Sequence, residues 1–247
     1  MTEISLKFGK ETLQMQLRDE ILTGVLEGSF PPSPTPAEEQ KTIVDSLRNP
    51  INSKPLAKIV QPGQKVVIMC SDITRPVPSY KILPALLNEC NAGGIQDKDI
   101  TIMFGMGIHR KHTKEEQKHL VGEEVFNRVN CHDSTEDEYV LVGTSSQGTP
   151  YWVNKLVTEA DILICTGNIE YHWFVGYSGG AKAVLPGACN YETIKHNHAM
   201  ILKEGTGTGC LEGNPVRADI DEILNFMPIH FIVNVVLDDK KQILKSF

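Results

Sequence analysis

Uninterrupted apolar runs, bounded by polar or glycine-rich loops, recur along this chain. KVVIMC (65–70), DITIMFGMG (99–107), DILICTGNI (161–169) and FIVNVVL (231–237) each read as strands buried on both faces. EYVLVG (138–143) is another strand candidate, and the stretches between predict helices over 79–91, 113–121 and 150–160. Alternation of this kind predicts an α/β fold, a mostly parallel sheet with helices on both faces. The expected strand ends at 71, 106 and 167 each run into a polar or glycine-rich loop, and open sheets of this class bind ligands outside such carboxyl ends. Upstream, residues 3–8 and 12–17 predict a short hairpin around Gly9-Lys10, and the proline-rich FPPSPTPAEEQ leads into a helix from about Pro36 to Leu47. The expected organisation is one domain, with residues 1–60 as an N-terminal extension and 61–247 as the α/β core. After FIVNVVL only DDKKQILKSF follows, with no closing helix, so a second lobe is expected to lie outside this sequence.

Composition narrows the function classes. With 40% apolar and 22% charged residues, the chain has the make-up of a folded globular protein. A formal charge of -7 argues against non-specific nucleic-acid binding, and no basic stripe with interleaved aromatics appears. There is no apolar run of membrane-spanning length and no secretory core at the N-terminus. Six scattered cysteines without a CxxC read as reduced thiols of a cytoplasmic protein.

Four stretches carry candidate chemistry. SDITRPVPS (71–79) places Asp72, Thr74 and Arg75 at a strand end. Arg75 there fits either a bidentate clamp on a carboxylate or phosphate, or a surface ion pair. In GMGIHRKHT (105–113), His109 is suited to move a proton near neutrality, whereas His112 precedes a predicted helix cap at Thr113 and reads as peripheral. YHWFVGYSGGAKAVLPG (171–187) offers His172 and a lone lysine, Lys182, among small, aromatic and aliphatic residues. It is neither a Walker A loop nor a GxGxxG dinucleotide fingerprint, so the fold is Rossmann-like without that motif. A lysine in such company either snorkels from a helix start or loses solvent and becomes a nucleophile or attachment point. In YETIKHNHAMILKEG (191–205), His196 and His198 are two apart, so at most one points into a given pocket. It serves there as a metal ligand or as a satisfied core histidine.

Taken in order, DxTRP (72–76), GxHR (107–110), HxxxGxSGGAKAxLPG (172–187), NHAM (197–200), GNPVR (213–217) and FIVNVVLD (231–238) resemble the N-terminal part of the nickel-dependent lactate racemase family. The likeness implies an N-terminal cofactor-binding domain. It also implies that Lys182 carries a covalently tethered, sulfur-containing pyridinium mononucleotide holding nickel, and that His198 completes the metal's ligands. His109 and His172 take the acid/base roles and Arg75 holds the substrate carboxylate. Asp72, Thr74, Ser178 and Gly179 are the implied ribose or phosphate contacts. The reaction implied is racemisation of a 2-hydroxy acid such as lactate. One histidine takes the hydroxyl proton, the α-hydrogen leaves as hydride, and its return to the other face of the planar 2-oxo acid inverts the centre. Proteins that make the cofactor are expected partners; nucleic acid and membrane are not. Two other readings stay open: an epimerase or oxidoreductase of another 2-hydroxy or sugar acid, and a non-catalytic module binding a nucleotide-like phosphate.

Overall fold

A computed structural model of the chain describes residues 1–247 apart from Lys10 and Glu27. It forms two compact units, residues 1–32 and 33–247. In the first, β1 (Thr2–Phe8) pairs antiparallel with β2 (Glu11–Leu17), setting Ile4 opposite Met15 and Leu6 opposite Leu13. Lys10, half of the expected turn, lies outside the described residues.

The second unit opens with α1 (Pro36–Arg48), started by Pro36 and a reciprocal capping box between Thr35 and Glu38. The unit boundary therefore falls at 32/33, whereas the sequence pattern put the core's start near residue 61. The reason is burial: Ile43 and Leu47 of α1 are fully enclosed in the core built on the sheet. Glu39, also buried, accepts from Lys81 Nζ at 2.7 Å and from the backbone N–H of Ile243 at 2.7 Å.

The rest of the chain supplies β3 (Val66–Ser71), α2 (Ser79–Ala92), β4 (Ile100–Gly105), α3 (Lys114–Val121), α4 (Glu123–Arg128), β5 (Asn130–Asp133), β6 (Tyr139–Thr144), β7 (Pro150–Asn154) and α5 (Lys155–Thr158). It continues through β8 (Ile162–Asn168), β9 (Tyr171–His172), β10 (Gly176–Tyr177), α6 (Tyr191–Ala199), α7 (Pro215–Glu222), β11 (Phe231–Leu237) and β12 (Ile243–Ser246). The main sheet has the order β12-β11-β8-β3-β4-β5, parallel throughout except for β12. Along β3 the side chains alternate between two cores. Val66, Ile68 and Cys70 join the one built with α1 and α2, and Val67 and Met69 join the one built with α6, α7 and β7. Both faces are thus covered, which is why the strand reads as an unbroken apolar run.

Two expectations are corrected. EYVLVG does not enter the main sheet; β6 pairs antiparallel with β7 as a separate ribbon. The parallel edge is β5 instead, whose polar sequence NCHD shows no apolar run. The helix expected over 150–160 is a strand in its first half. Tyr151 and Val153 are fully buried on alternate positions, a period-2 pattern that favours pairing with β6. Asn154 then accepts from the N–H groups of Leu156 and Val157 and caps only the four-residue α5.

Candidate active site

The chain passes from β3 to β4 and β5 in one direction and reaches β8 on the other side of β3. Loops leaving β3 and β8 therefore diverge, opening a crevice at the carboxyl ends. A cavity of about 210 Å³ occupies it, with Asp72, Arg75, His109, Gly179, Lys182 and His198 in its wall. Four separate stretches of sequence, far apart along the chain, converge there.

The SGGAK segment is shaped by its glycines. Gly179 has φ 85° and ψ 177°, a conformation essentially confined to glycine, and a Cβ there would lie 3.0 Å from the Asn234 side chain. The following residues, Gly180–Ala183, form a 3-10 turn rather than a helix start. Ser178 is committed to this geometry, for its hydroxyl donates to the Asn168 carbonyl at 2.6 Å and accepts from Glu170 N–H at 3.0 Å. It borders the cavity, yet its own proton is spent on the loop.

Lys182 is thereby half-buried in the cavity wall rather than extended along the surface. Burial, followed by the positive charge of Arg75, pushes its amine down to about 8; Glu170 and Asp72 oppose the shift and Arg217 adds to it. A lysine in this state is a far better nucleophile near neutrality than an exposed one.

The two candidate acid/base histidines are held by chemically opposite partners. Asp72, 4% exposed at its side chain, has Oδ2 at 2.7 Å from His109 Nδ1. A carboxylate only accepts, so Nδ1 carries a proton, and in the neutral ring Nε2 is the nitrogen that keeps its lone pair. Thr74 is turned away from the cavity wall; its hydroxyl donates to Asp72 Oδ1 at 2.9 Å. Asp72 and Thr74 thus act on His109 in this structure, a use that the sequence did not disclose. His172 instead accepts, at Nδ1, from the Val175 backbone N–H at 3.3 Å, which leaves the ring proton on Nε2. It stands on the β9–β10 hairpin at the margin, outside the cavity wall. Burial, then the charges of Lys182, Arg75 and His198, lowers its pKa to about 4.

His198, on α6, reaches the cavity, while His196 faces away and bonds the Glu192 carbonyl at 2.8 Å. Burial and Lys182 lower the pKa of His198 too. Phe174 lies between the two rings, edge-on to His172 at 4.7 Å and to His198 at 5.2 Å. Tyr171 and Trp173 are about 70% exposed and line no part of the cavity.

His112 is not peripheral. Its side chain is fully buried, with Nδ1 at 2.8 Å from Asp133 Oδ1 and Nε2 accepting from the backbone N–H of Ile73 at 3.1 Å. It braces the loop that carries Asp72 and Arg75. The pairing with Asp133 on β5 is tertiary, so no local motif announces it.

Among the described residues no three His, Cys, Asp or Glu side chains converge on a metal position. A metal at His198 would need its other donors from a bound group, and a half-buried, low-pKa lysine bordering the same cavity is a suitable anchor for one. The residues present fit a lysine-tethered, metal-holding group.

Residues 8–209 match the family model described as lactate racemase N-terminal domain. Over 252 aligned residues the chain is 38% identical to the lactate racemase of Lactiplantibacillus plantarum and 35% identical to that of Thermoanaerobacterium thermosaccharolyticum. Each alignment covers 100% of this chain and 59% of the relative, so the chain spans about three fifths of the length of the curated relatives it matches. The structure of the lactate racemase apoprotein from T. thermosaccharolyticum superposes with a TM-score of 0.84 at 34% identity, covering 100% of this chain and 58% of that one. A Thermotoga maritima protein shares the fold at a TM-score of 0.67 and 20% identity. By the span of the family match and the identity carried across its whole length, the chain belongs to the lactate racemase N-terminal domain family.

Proposed function

We propose that this chain is the cofactor-bearing part of an enzyme that racemises a 2-hydroxy carboxylic acid, lactate first among them. In this reading Lys182 tethers a nickel-holding pyridinium mononucleotide, and His198 is the protein's ligand to the metal. The observation that carries it is the amine of the half-buried Lys182, lowered to about 8 in a cavity that also holds Arg75, His109 and His198. The tethered group supplies a hydride acceptor and the metal that tunes it.

The chain's own residues do the rest. Arg75 binds the substrate carboxylate and keeps the reacting carbon in place while its two faces are exchanged. His109, its Nδ1 proton donated to Asp72, takes the hydroxyl proton of one enantiomer at Nε2, and the buried carboxylate stabilises the imidazolium that results. His172, neutral with its proton on Nε2, hydrogen-bonds the same oxygen from the margin without releasing that proton; it becomes the base for the mirror-image substrate only when its ring turns to offer the bare nitrogen, and the imidazolium so formed returns the proton to the product oxygen. Proteins that make and load the nucleotide are partners this reading requires.

The test is intact-protein mass spectrometry with peptide mapping of 171–200, on the chain and on any longer natural form, produced in a host that makes the cofactor. A mononucleotide-sized adduct on Lys182, absent from Lys182→Ala, together with interconversion of L- and D-lactate by chiral analysis, is the expected result. Release of a 2-oxo acid would favour the oxidoreductase reading. An unmodified Lys182 beside a loaded lactate racemase control would overturn the proposal.

A further inference from the structure

A polar chain behind His198 has no part in the proposed reaction, and its chemistry is unusually well determined. Asn197, adjacent to His198 on α6, is fully buried. Its side-chain nitrogen lies 2.8 Å from Asp219 Oδ2 and 3.2 Å from the Val216 carbonyl. Both of those atoms accept hydrogen bonds, so both amide hydrogens of Asn197 are committed and its carbonyl oxygen must face the other way. That oxygen is 3.1 Å from His198 Nδ1. An amide oxygen cannot donate, so the proton of the neutral imidazole belongs on Nδ1 and the lone pair on Nε2.

The far end of the chain is equally constrained. Asp219, on α7, is 0% exposed, and its second carboxylate oxygen accepts from the hydroxyl of Ser145 at 2.5 Å. Its backbone carbonyl accepts from Tyr151 Oη at 2.6 Å. A buried anion at this position needs donors, and Asn197 and Ser145 supply them. The negative charge of Asp219 thus polarises the Asn197 amide toward His198. Asn197 and His198 come from α6, Asp219 from α7 and Ser145 from the loop after β6, and only the fold lines them up.

We propose that Asn197, fixed by Asp219, is a positioning residue that locks His198 in the Nδ1–H tautomer and presents Nε2 as a metal ligand. The proposal rests on the reading of His198 as the nickel ligand. A ligating histidine is ordinarily held through its other nitrogen by a carboxylate, carbonyl or water, and losing such a partner typically costs about 10- to 100-fold in metal affinity. Here an amide stands between the ring and the carboxylate.

The tautomer can be read without cofactor, by long-range ¹H–¹⁵N NMR on the unloaded chain at pH 8, where His198 is neutral. The expected pattern for His198 is protonated Nδ1 and bare Nε2; a protonated Nε2 in the wild type would overturn the proposal by itself. Asn197→Leu is expected to release the ring toward the Nε2–H form while the buried His112 signals stay in place. Unchanged His198 signals in the folded leucine variant would sink the idea. In cofactor-loaded protein, the ratio of nickel to Lys182 adduct is expected to fall in Asn197→Leu, with the adduct intact. Loss of the adduct in the wild type would count against the proposed function and leave the tautomer result standing.

Discussion

At the scale of single residues, the site is governed by which charges are near Lys182 and which protons are already placed. Because burial and Arg75 bring its amine to about 8, amine-directed acylation by a small reagent should reach half its limiting rate near pH 8 at Lys182. Lys41, whose ion pair with Asp45 raises its amine above the ordinary lysine value, should react only at more alkaline pH, and peptide mapping of a pH series reads both. Lys182 is in turn the largest charge acting on His172, second only to burial among the causes that lower its pKa to about 4. Removing that charge with Lys182→Gln should raise the His172 pKa, measurable by NMR titration; an unchanged value would show that the two groups do not interact. The Asp72–His109 pair makes a different kind of prediction. Asp72→Asn keeps the shape but allows the wrong tautomer, so turnover in a loaded enzyme should drop by about 10²- to 10⁴-fold with little change in KM. His109, Arg75 and Lys182 were recognisable as residue types at strand ends. Asp72's role was not, because a carboxylate two residues from Thr74 looks like a loop cap until the fold sets a histidine 2.7 Å away.

Elements determine how rigidly these side chains are held. The glycine turn before Lys182 works only while Gly179 keeps its φ of 85° against the Asn234 side chain. Gly179→Ala should therefore lower stability by about 1–3 kcal/mol, seen as a reduced urea midpoint with an unchanged slope. The β3–α2 loop depends on His112, whose Nε2 takes the Ile73 N–H. His112→Gln places an amide oxygen close to that position and should retain more activity than His112→Ala, which leaves both a buried N–H and Asp133 without their partner. The main strands were legible because both faces of β3, β4 and β8 are buried, so their apolar runs carry the signal unaided. β5 and β7 were not. The first is a short polar edge strand held by its pairing with β4, and the second shows period-2 alternation over only a few residues before a capped turn.

For the larger unit as a whole, two partly buried histidines make stability depend on pH in a defined direction. His172 falls from 6.5 in an unfolded chain to about 4 when folded, so between those values the unfolded state binds more protons. Its contribution is intact above about 6.5 and is lost as pH drops toward 4; His198, shifted the same way, adds to the slope. Urea midpoints should decline between pH 7 and pH 5, and His172→Gln should flatten that decline. Among the described residues no helix is long and apolar enough to cross a membrane. The six cysteines are free, five of them buried or half-buried.

The order of motifs and the apolar periodicity were sufficient, without coordinates, for the parallel α/β class, the strand ends where a site would lie, and the residue types able to do the chemistry. Those are local properties: burial on two faces writes itself into consecutive residues, and loop glycines mark where the backbone must turn. What only the tertiary structure decided is the state of each functional group. The proton placement on His109, the low pKa of Lys182, the bracing of the loop by His112 and Asp133, and the amide behind His198 all arise from partners 21 or more positions away in sequence, or from burial, or from an amide oriented by such a partner. Even the His172 contact, made three residues along the chain, depends on the hairpin that turns Val175 N–H back onto the ring. Hydrogen-bond geometry and desolvation depend on distances of a few ångströms in space, and spacing along a chain does not encode them.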